Sequence, residues 1–478
     1  MRFKIKIIRT TCMVLFFMIA LIVNSCSKNK IEIVAEIGNQ QITLEEFRIA
    51  YLDVIKKPDA FDSPEFREKF LDELIASRLL AQEAEKRGYY DDEKLQYKVA
   101  AYKNKALREA HFEAVIRPQF SITEENIQEA YIFLQEERKI SHLFANTKHE
   151  IDSVYLLLKN GRIFEEIAKD LFSDPSLAEN GGDLGWVNWD ELEYDLAMTA
   201  FRMPTDTFSV PIKSQYGYHI IEVTDYKKKP LITRQEYEAH KIKAKARLEF
   251  MLGDKYAYDY INNLFANAEI KIYPPIVSTV RIKLKNLFQR KPDQFNQMNE
   301  MQLTDDEVRT VERNLWDMRH EKFATINGQD YTVGDFIGAL NYVPYSIVYS
   351  SFKKSIDYAF RDFLIDQKAK KMGLEDTQNV KYKYNLFKEY LLQLELRRDI
   401  VKGVKVTEDE VKQYYELNKP VFKGAEFRQV EKIIEDILKR KKKSESVPKF
   451  VEQLLDNKSI KKHLEIIHSY YDTVLNKI

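Results

Sequence analysis

Cysteine is the rarest residue of this 478-residue chain, with only Cys12 and Cys26, and glycine is sparse for such a length, at 14. Both thiols lie within the first 26 residues, so the rest of the chain has none to pair and must hold together by packing, which domains of ordinary size can do. No zinc-spaced cysteine–histidine set, glycine-rich phosphate loop or interleaved basic–aromatic motif is present. Neither charge is in excess. The 75 Lys and Arg balance 75 Asp and Glu, which argues neither for nor against a nucleic-acid partner. Few glycines beside many charged residues and tyrosines suit helical, solvated elements. The length exceeds one ordinary core, so about two to four domains are expected.

The start of the chain reads as an export signal. Arg2, Lys4, Lys6 and Arg9 precede the unbroken apolar run Met13–Val23. That run falls short of the about 20 apolar residues a bilayer span needs, and it fits the hydrophobic segment of a signal peptide. It ends in Leu21-Ile22-Val23-Asn24-Ser25-Cys26, which resembles a bacterial lipobox. The resemblance implies cleavage ahead of Cys26 and acylation of its thiol. The expected address is then the cell envelope, lipid-anchored and facing the periplasm or cell surface. The plainer alternative is a cleaved signal with an incidental cysteine.

Beyond the polar Ser27–Lys30, Ile31–Ile42 alternates around Gly38-Asn39 and reads as a hairpin. Thr43-Leu44-Glu45-Glu46 has the spacing of a capping box and opens a helix. Ser63-Pro64-Glu65 opens a second, whose apolar face includes Phe66, Phe70, Leu71, Leu74, Ile75 and Leu79. Further helices run to Pro118 and from Thr123. Arg234–Ala268 is helical and tyrosine-rich, and Glu269–Pro275 reads as a strand. A second copy comes next. Ala324–Thr332 matches Ala35–Thr43 at an offset of 326 − 37 = 289, and Phe336 against Phe47 gives 289 again. This argues for duplication of the helical unit. The run Lys439–Lys443 reads as a solvated helix end or loop, with contact to anionic lipid as the minor reading.

Lys139–Tyr226 carries the chemistry. Ile140-Ser141-His142 and Gly217-Tyr218-His219-Ile220-Ile221 read as neighbouring strands of one small sheet. Between them lie Ser173-Asp174-Pro175, Gly181-Gly182-Asp183-Leu184-Gly185-Trp186, Ala200-Phe201 and Val210-Pro211-Ile212-Lys213. In this order and spacing the pieces resemble a parvulin-type peptidyl-prolyl cis/trans isomerase. The hairpin and helices before them resemble the N-terminal chaperone region of the SurA and PrsA foldases. In that family a segment after the isomerase domain packs back on the N-terminal region.

The resemblance implies an α+β fold: a parvulin domain, with a small antiparallel sheet and helices, inserted in a mostly helical SurA-like chaperone region, followed by a degenerate second copy of the helical unit. The expected boundaries are 1–25 signal, 26–138 N-terminal helical region, 139–226 parvulin domain, and 227–275 helix and strand closing on the N-terminal region. A second helical unit at 276–420 and a degenerate C-terminal region at 421–478 complete the chain.

Rotation about an X–Pro bond crosses a barrier of ~18–20 kcal/mol and needs no covalent catalysis. A catalyst must bind the twisted imide better than either planar form. The resemblance implies neither cofactor nor metal. It places His142 and His219 at the floor of the site, where two imidazoles on adjacent strands can share a hydrogen bond and fix each other's tautomers. Either they take part in the chemistry or they are buried, satisfied histidines. Asp174 matches the family's polar position; the competing reading is an N-cap or Asx turn ahead of Pro175. Asp183 reads as a turn residue.

Leu184, Leu192 and Leu196 are expected to line the proline pocket, with Tyr194 as the aromatic if the register slips and Phe201 as pocket or core. Asn146-Thr147-Lys148 lacks the arginine cluster of phosphate-directed relatives. The implied partners are unfolded exported polypeptides with X–Pro bonds, and the membrane through Cys26, with no nucleic acid. Two functions stand: a folding isomerase and chaperone, or a holdase whose parvulin domain only binds. A scaffold lipoprotein with a relic domain is the bland third.

Overall fold

The hairpin at the start of the described chain is β1 (Ile33–Ile37) and β2 (Gln40–Thr43), joined through Gly38 at φ 58°. The structure is a computed structural model that describes residues 31–55, 62–228, 233–285, 303–456 and 458–475. The chain divides into two compact units, one of the residues up to Lys103 with those from Lys381, the other of Asn104–Val380.

In the first unit Thr43 caps α1 (Leu44–Ile55) through the expected box. Glu46 Oε2 accepts the Thr43 N–H at 2.8 Å, and Thr43 Oγ1 accepts the Glu46 N–H. Ser63 caps α2 (Pro64–Lys86), whose Leu71, Ile75 and Leu79 bury against Val34, Ile42, Phe47 and Tyr51. Arg78 reaches into this core. It meets Glu46 and Glu389, each at 3.1 Å, and donates to the Gln41 carbonyl. α3 (Glu93–His111) is the next helix.

The second unit holds α4 (Glu124–Phe133), then a sheet with β3 (Glu136–Ala145) and β7 (Tyr218–Lys228) at its centre. Between them come α5 (Lys148–Lys159), α6 (Phe164–Leu171), α7 (Pro175–Glu179), β4 (Asp183–Asn188), α8 (Tyr194–Arg202), β5 (Thr207–Phe208) and β6 (Ile212–Lys213). The strand order is β4-β3-β7-β5, with β6 also on β7, all antiparallel. Strand alternation sorts the side chains. Leu143, Ala145 and Ile220 face α5 and α6. Ile140, Ile221 and Val223 join Trp189, Leu196 and Phe201 on the other face. α9 (Arg234–Ala266) adds Leu248, Met251 and Leu252 to that same core. The helix after the sheet is therefore part of its packing.

The duplicated unit is visible element by element. After α10 (Pro274–Leu284) and α11 (Asp305–Leu315), β9 (Lys322–Ile326) and β10 (Gln329–Thr332) form a hairpin. It turns at Asn327-Gly328, both at positive φ. Thr332 caps α12 (Val333–Leu340) through a box with Asp335. Then come α13 (Tyr345–Ser350), α14 (Phe352–Lys371), α15 (Gln378–Lys402) and α16 (Glu408–Leu417). Where the first copy inserts its sheet between α4 and α9, the second joins α16 to α17 (Phe427–Leu455) through the short turn Lys419–Phe422. The last elements are β11 (Ile460–Lys462) and α18 (Leu464–Leu475). The region from 421 is thus the second copy's counterpart of α9 and the strand after it, and Lys439–Lys443 lies within α17 rather than at its end.

One expectation is corrected. β8 (Ile270–Ile272) does not close on the N-terminal hairpin; it pairs antiparallel with β9 of the second copy, Ile326 opposite Ile270. The first hairpin is closed by β11, with Ile37 opposite Ile460. The registers correspond: Ala35 faces Lys462 as Ala324 faces Ile272. Each copy's closing strand completes the other copy's sheet. Local sequence cannot choose between these pairings, because Ile-Lys-Ile and Ile-Lys-Lys fit Ala-Glu-Ile and Ala-Thr-Ile edges equally well.

Candidate active site

His142 on β3 and His219 on β7 are brought together. Their rings lie 5.8 Å apart, tilted by 24°. In the register His142 faces Ile221 and Phe144 faces His219, so the two imidazoles are diagonal neighbours on the sheet face that carries Ile140 and Ile221. Phe144 packs on His219 at 5.0 Å. Phe172, at the C-terminal end of α6, stacks on His142 at 5.3 Å.

Two glycines let the flanking turns press on β3. Gly182 has φ +75°, and its carbonyl accepts the His142 N–H at 2.9 Å; a Cβ there would fall on the His142 carbonyl oxygen. Gly217 has φ +150°, and a Cβ would meet the Ala145 carbonyl oxygen at 2.6 Å. Asp183 is the turn residue expected: its Oδ1 accepts the Gly185 N–H at 2.7 Å.

The imidazoles do not hydrogen-bond each other. His219 Nε2 lies 2.8 Å from Ser214 Oγ, a partner that sequence reasoning missed. The same oxygen accepts the Tyr216 N–H at 3.0 Å. His142 Nε2 is buried and has no hydrogen-bond partner among the described residues. Burial lowers the pKa of both rings. It takes His219 to about 4, with the neighbouring His142 adding to the effect. Both rings are therefore neutral near pH 7.

Asp174 is exposed and caps α7: its Oδ1 accepts the Ser176 N–H at 2.9 Å and the Ser176 hydroxyl at 2.7 Å. Those bonds hold its carboxyl below the ordinary range. Among the described residues it is bonded to neither imidazole. The expected pocket lining divides. Leu184 is exposed on β4, Leu192 is half-buried, and Leu196 and Phe201 are buried in the core with Trp189 and Met251. Tyr194 is half-buried beside them. Phe172 and Phe144 were visible only as parts of motifs, yet they make the ring contacts with the histidines. Cys26 lies outside the described residues, and among those residues no helix is long and apolar enough to cross a membrane.

A sheet of this order, with two stacked imidazoles beneath a glycine turn, defines a peptidyl-prolyl isomerase domain of the parvulin class. Residues 132–225 match the family model described as PPIC-type PPIASE domain, and residues 1–130 match the SurA-like N-terminal domain. The chain is similar to "Foldase protein PrsA" of Geobacillus kaustophilus, 29% identical over 218 residues, or 43% of this chain and 75% of the relative. It is also similar to "Parvulin-like PPIase" of Rickettsia felis, 24% identical over 279 residues, covering 55% and 95%. A solved Peptidylprolyl Isomerase (PrsA) from Bacillus anthracis aligns at 23% identity over 40% of this chain and 96% of that one, with TM-score 0.23. The chain thus carries a PPIC-type parvulin domain behind a SurA-like N-terminal domain, and its relatives are named as PrsA foldases and parvulin-like PPIases.

Proposed function

We propose that this chain catalyses cis/trans isomerisation of X–Pro bonds in exported polypeptides and holds those polypeptides while they are unfolded, anchored to the envelope through an acylated Cys26. The observation that carries the catalytic reading is the neutral, desolvated His142–His219 pair, 5.8 Å apart under aromatic cover. A planar imide is more dipolar than a twisted one, because rotation ends the resonance that separates its charge. A dry, uncharged floor therefore disfavours the planar forms relative to the transition state, and each ~1.4 kcal/mol of that difference is tenfold in rate. His142 and His219 act here as floor and dipole rather than as a proton relay, in keeping with the sealed, unpartnered Nε2 of His142. Asp174 acts by ordering the loop that presents Phe172, through its cap on α7. Leu184 and Leu192 are the side chains we assign to the proline ring, since Leu196 and Phe201 are sunk in the core.

The thinness of that lining favours a second reading, a domain that binds without catalysing. The test uses the whole chain, because α9 supplies core residues to the sheet. NMR exchange rates of an Ala-Pro tetrapeptide are measured with wild type, His142→Ala and His219→Ala. Acceleration that collapses in the variants supports the enzyme. No acceleration by wild type, with aggregation of an unfolded client still suppressed, rejects it in favour of the holdase. Mass spectrometry of the exported protein tests Cys26: an unmodified thiol removes the anchor.

A further inference from the structure

α9 does more than cover the sheet. Tyr258 on this helix donates its hydroxyl hydrogen to the carbonyl of Gln215 at 2.8 Å. The N–H of the same Gln215 donates to Glu193 Oε2, from just ahead of α8, at 3.1 Å. Gln215 is thus held through both its backbone groups, by one side chain from each of two elements. The residues on either side of it make the contacts that reach the histidine. Tyr216 N–H donates to Ser214 Oγ at 3.0 Å, Ser214 N–H donates to the Gly217 carbonyl at 2.8 Å, and Ser214 Oγ lies 2.8 Å from His219 Nε2. A cavity of about 120 Å³ lies alongside, walled by Ser214 and Gln215 on one side and by Met251 and Tyr258 on the other.

A four-residue turn that contains glycine is the soft part of such a site, and a buried hydroxyl positions an imidazole only as well as its own backbone is fixed. We propose that Tyr258 is a positioning residue of the isomerase site: by fixing the Gln215 carbonyl it sets the Ser214 hydroxyl, and with it the ring of His219. Tyr258 lies outside the 132–225 match, so in this chain the helix after the domain completes its site. The proposal rests on the isomerase reading above and carries a readout that does not depend on it.

The experiment uses the full chain with 15N-labelled histidine. Wild type, Tyr258→Phe, Ser214→Ala and Lys255→Met are compared by ring 15N shifts, thermal melting and tetrapeptide kinetics. Tyr258→Phe keeps the aromatic ring and removes one hydrogen bond. It should move the His219 ring signals toward those of Ser214→Ala and lower kcat about two- to tenfold at nearly constant KM. Lys255→Met removes the neighbouring α9 contact to Asp195, 2.7 Å long, without touching Gln215, and should leave the His219 signals as in wild type. Unmoved ring signals in Tyr258→Phe overturn the proposal. So does an equal displacement in Lys255→Met, which would mean general loosening of the helix. An inactive wild type overturns the isomerase reading alone, and the ring signals still decide the positioning.

Discussion

Ser214 Oγ lies 2.8 Å from Nε2 of His219, and both residues are buried. The contact stands where a histidine–histidine hydrogen bond was expected and makes the Ser214 hydroxyl the hydrogen-bond partner of that ring's Nε2. Ser214→Ala leaves Nε2 buried without a partner, which costs about 1–3 kcal/mol. Urea unfolding should show that loss, and Ser214→Thr, which keeps the hydroxyl, should recover most of it. An alanine variant as stable as wild type would show that the bond contributes nothing.

Acid should weaken the second unit through His219. Its folded pKa of about 4 lies below the ordinary 6.5, because burial disfavours the imidazolium. Between these values the unfolded chain binds a proton that the folded chain does not, so stability falls as pH drops from about 6.5 to about 4 and levels off below. The loss is of order 2 kcal/mol once solvent screening is allowed for. His219→Gln does not titrate, and its denaturation midpoint should vary less over the same window. Equal slopes for the two proteins would rule His219 out as the source.

Gly182 and Gly185 share a left-handed backbone, at φ +75° and +76°, but not their surroundings. A Cβ on Gly185 meets nothing within 4 Å, whereas one on Gly182 collides with the His142 carbonyl. Gly185→Ala should cost only the backbone preference, about 1 kcal/mol. Gly182→Ala should cost more than that and also displace the turn from β3, lowering isomerase activity. Matching melting temperatures for the two variants would contradict this.

Arg78 is a buried cation between Glu46 and Glu389. Arg78→Met strands both carboxylates and should destabilise the first unit by about 3–5 kcal/mol. The triple variant with Glu46→Gln and Glu389→Gln removes the stranded charge and should regain a large part. Thermal melting that shows no recovery in the triple variant would mean that the loss is one of packing rather than of charge.

The sheet and its histidines were legible because motif order and strand period coincide at Ile140–Phe144 and Gly217–Val223. The capping boxes at Thr43 and Thr332 were legible for the same local reason. Ser214 was not, since a serine in a turn carries no pattern; only its place five residues before His219, with Gly217 between, hinted at a return. Asp174 before Pro175 satisfies a cap and a catalytic motif alike, and its geometry is that of the cap. Leu196 and Phe201 sit at pocket spacing, but α9 extends the core over that face, a long-range effect that a local reading of α8 does not contain. The exchange of β8 and β11 was hidden because both strands offer the same three-residue alternation to equivalent edges.

Because β1 takes its outer neighbour from Ile460–Lys462, a polypeptide that emerges amino end first must wait for a strand 460 − 37 = 423 residues downstream before that sheet is sealed. Until then β1 presents an open edge, and a segment made early remains unprotected. A stop codon just ahead of Ile460 is consequently severe: it damages not the neighbourhood of the break but the distant sheet built on Ile33–Ile37.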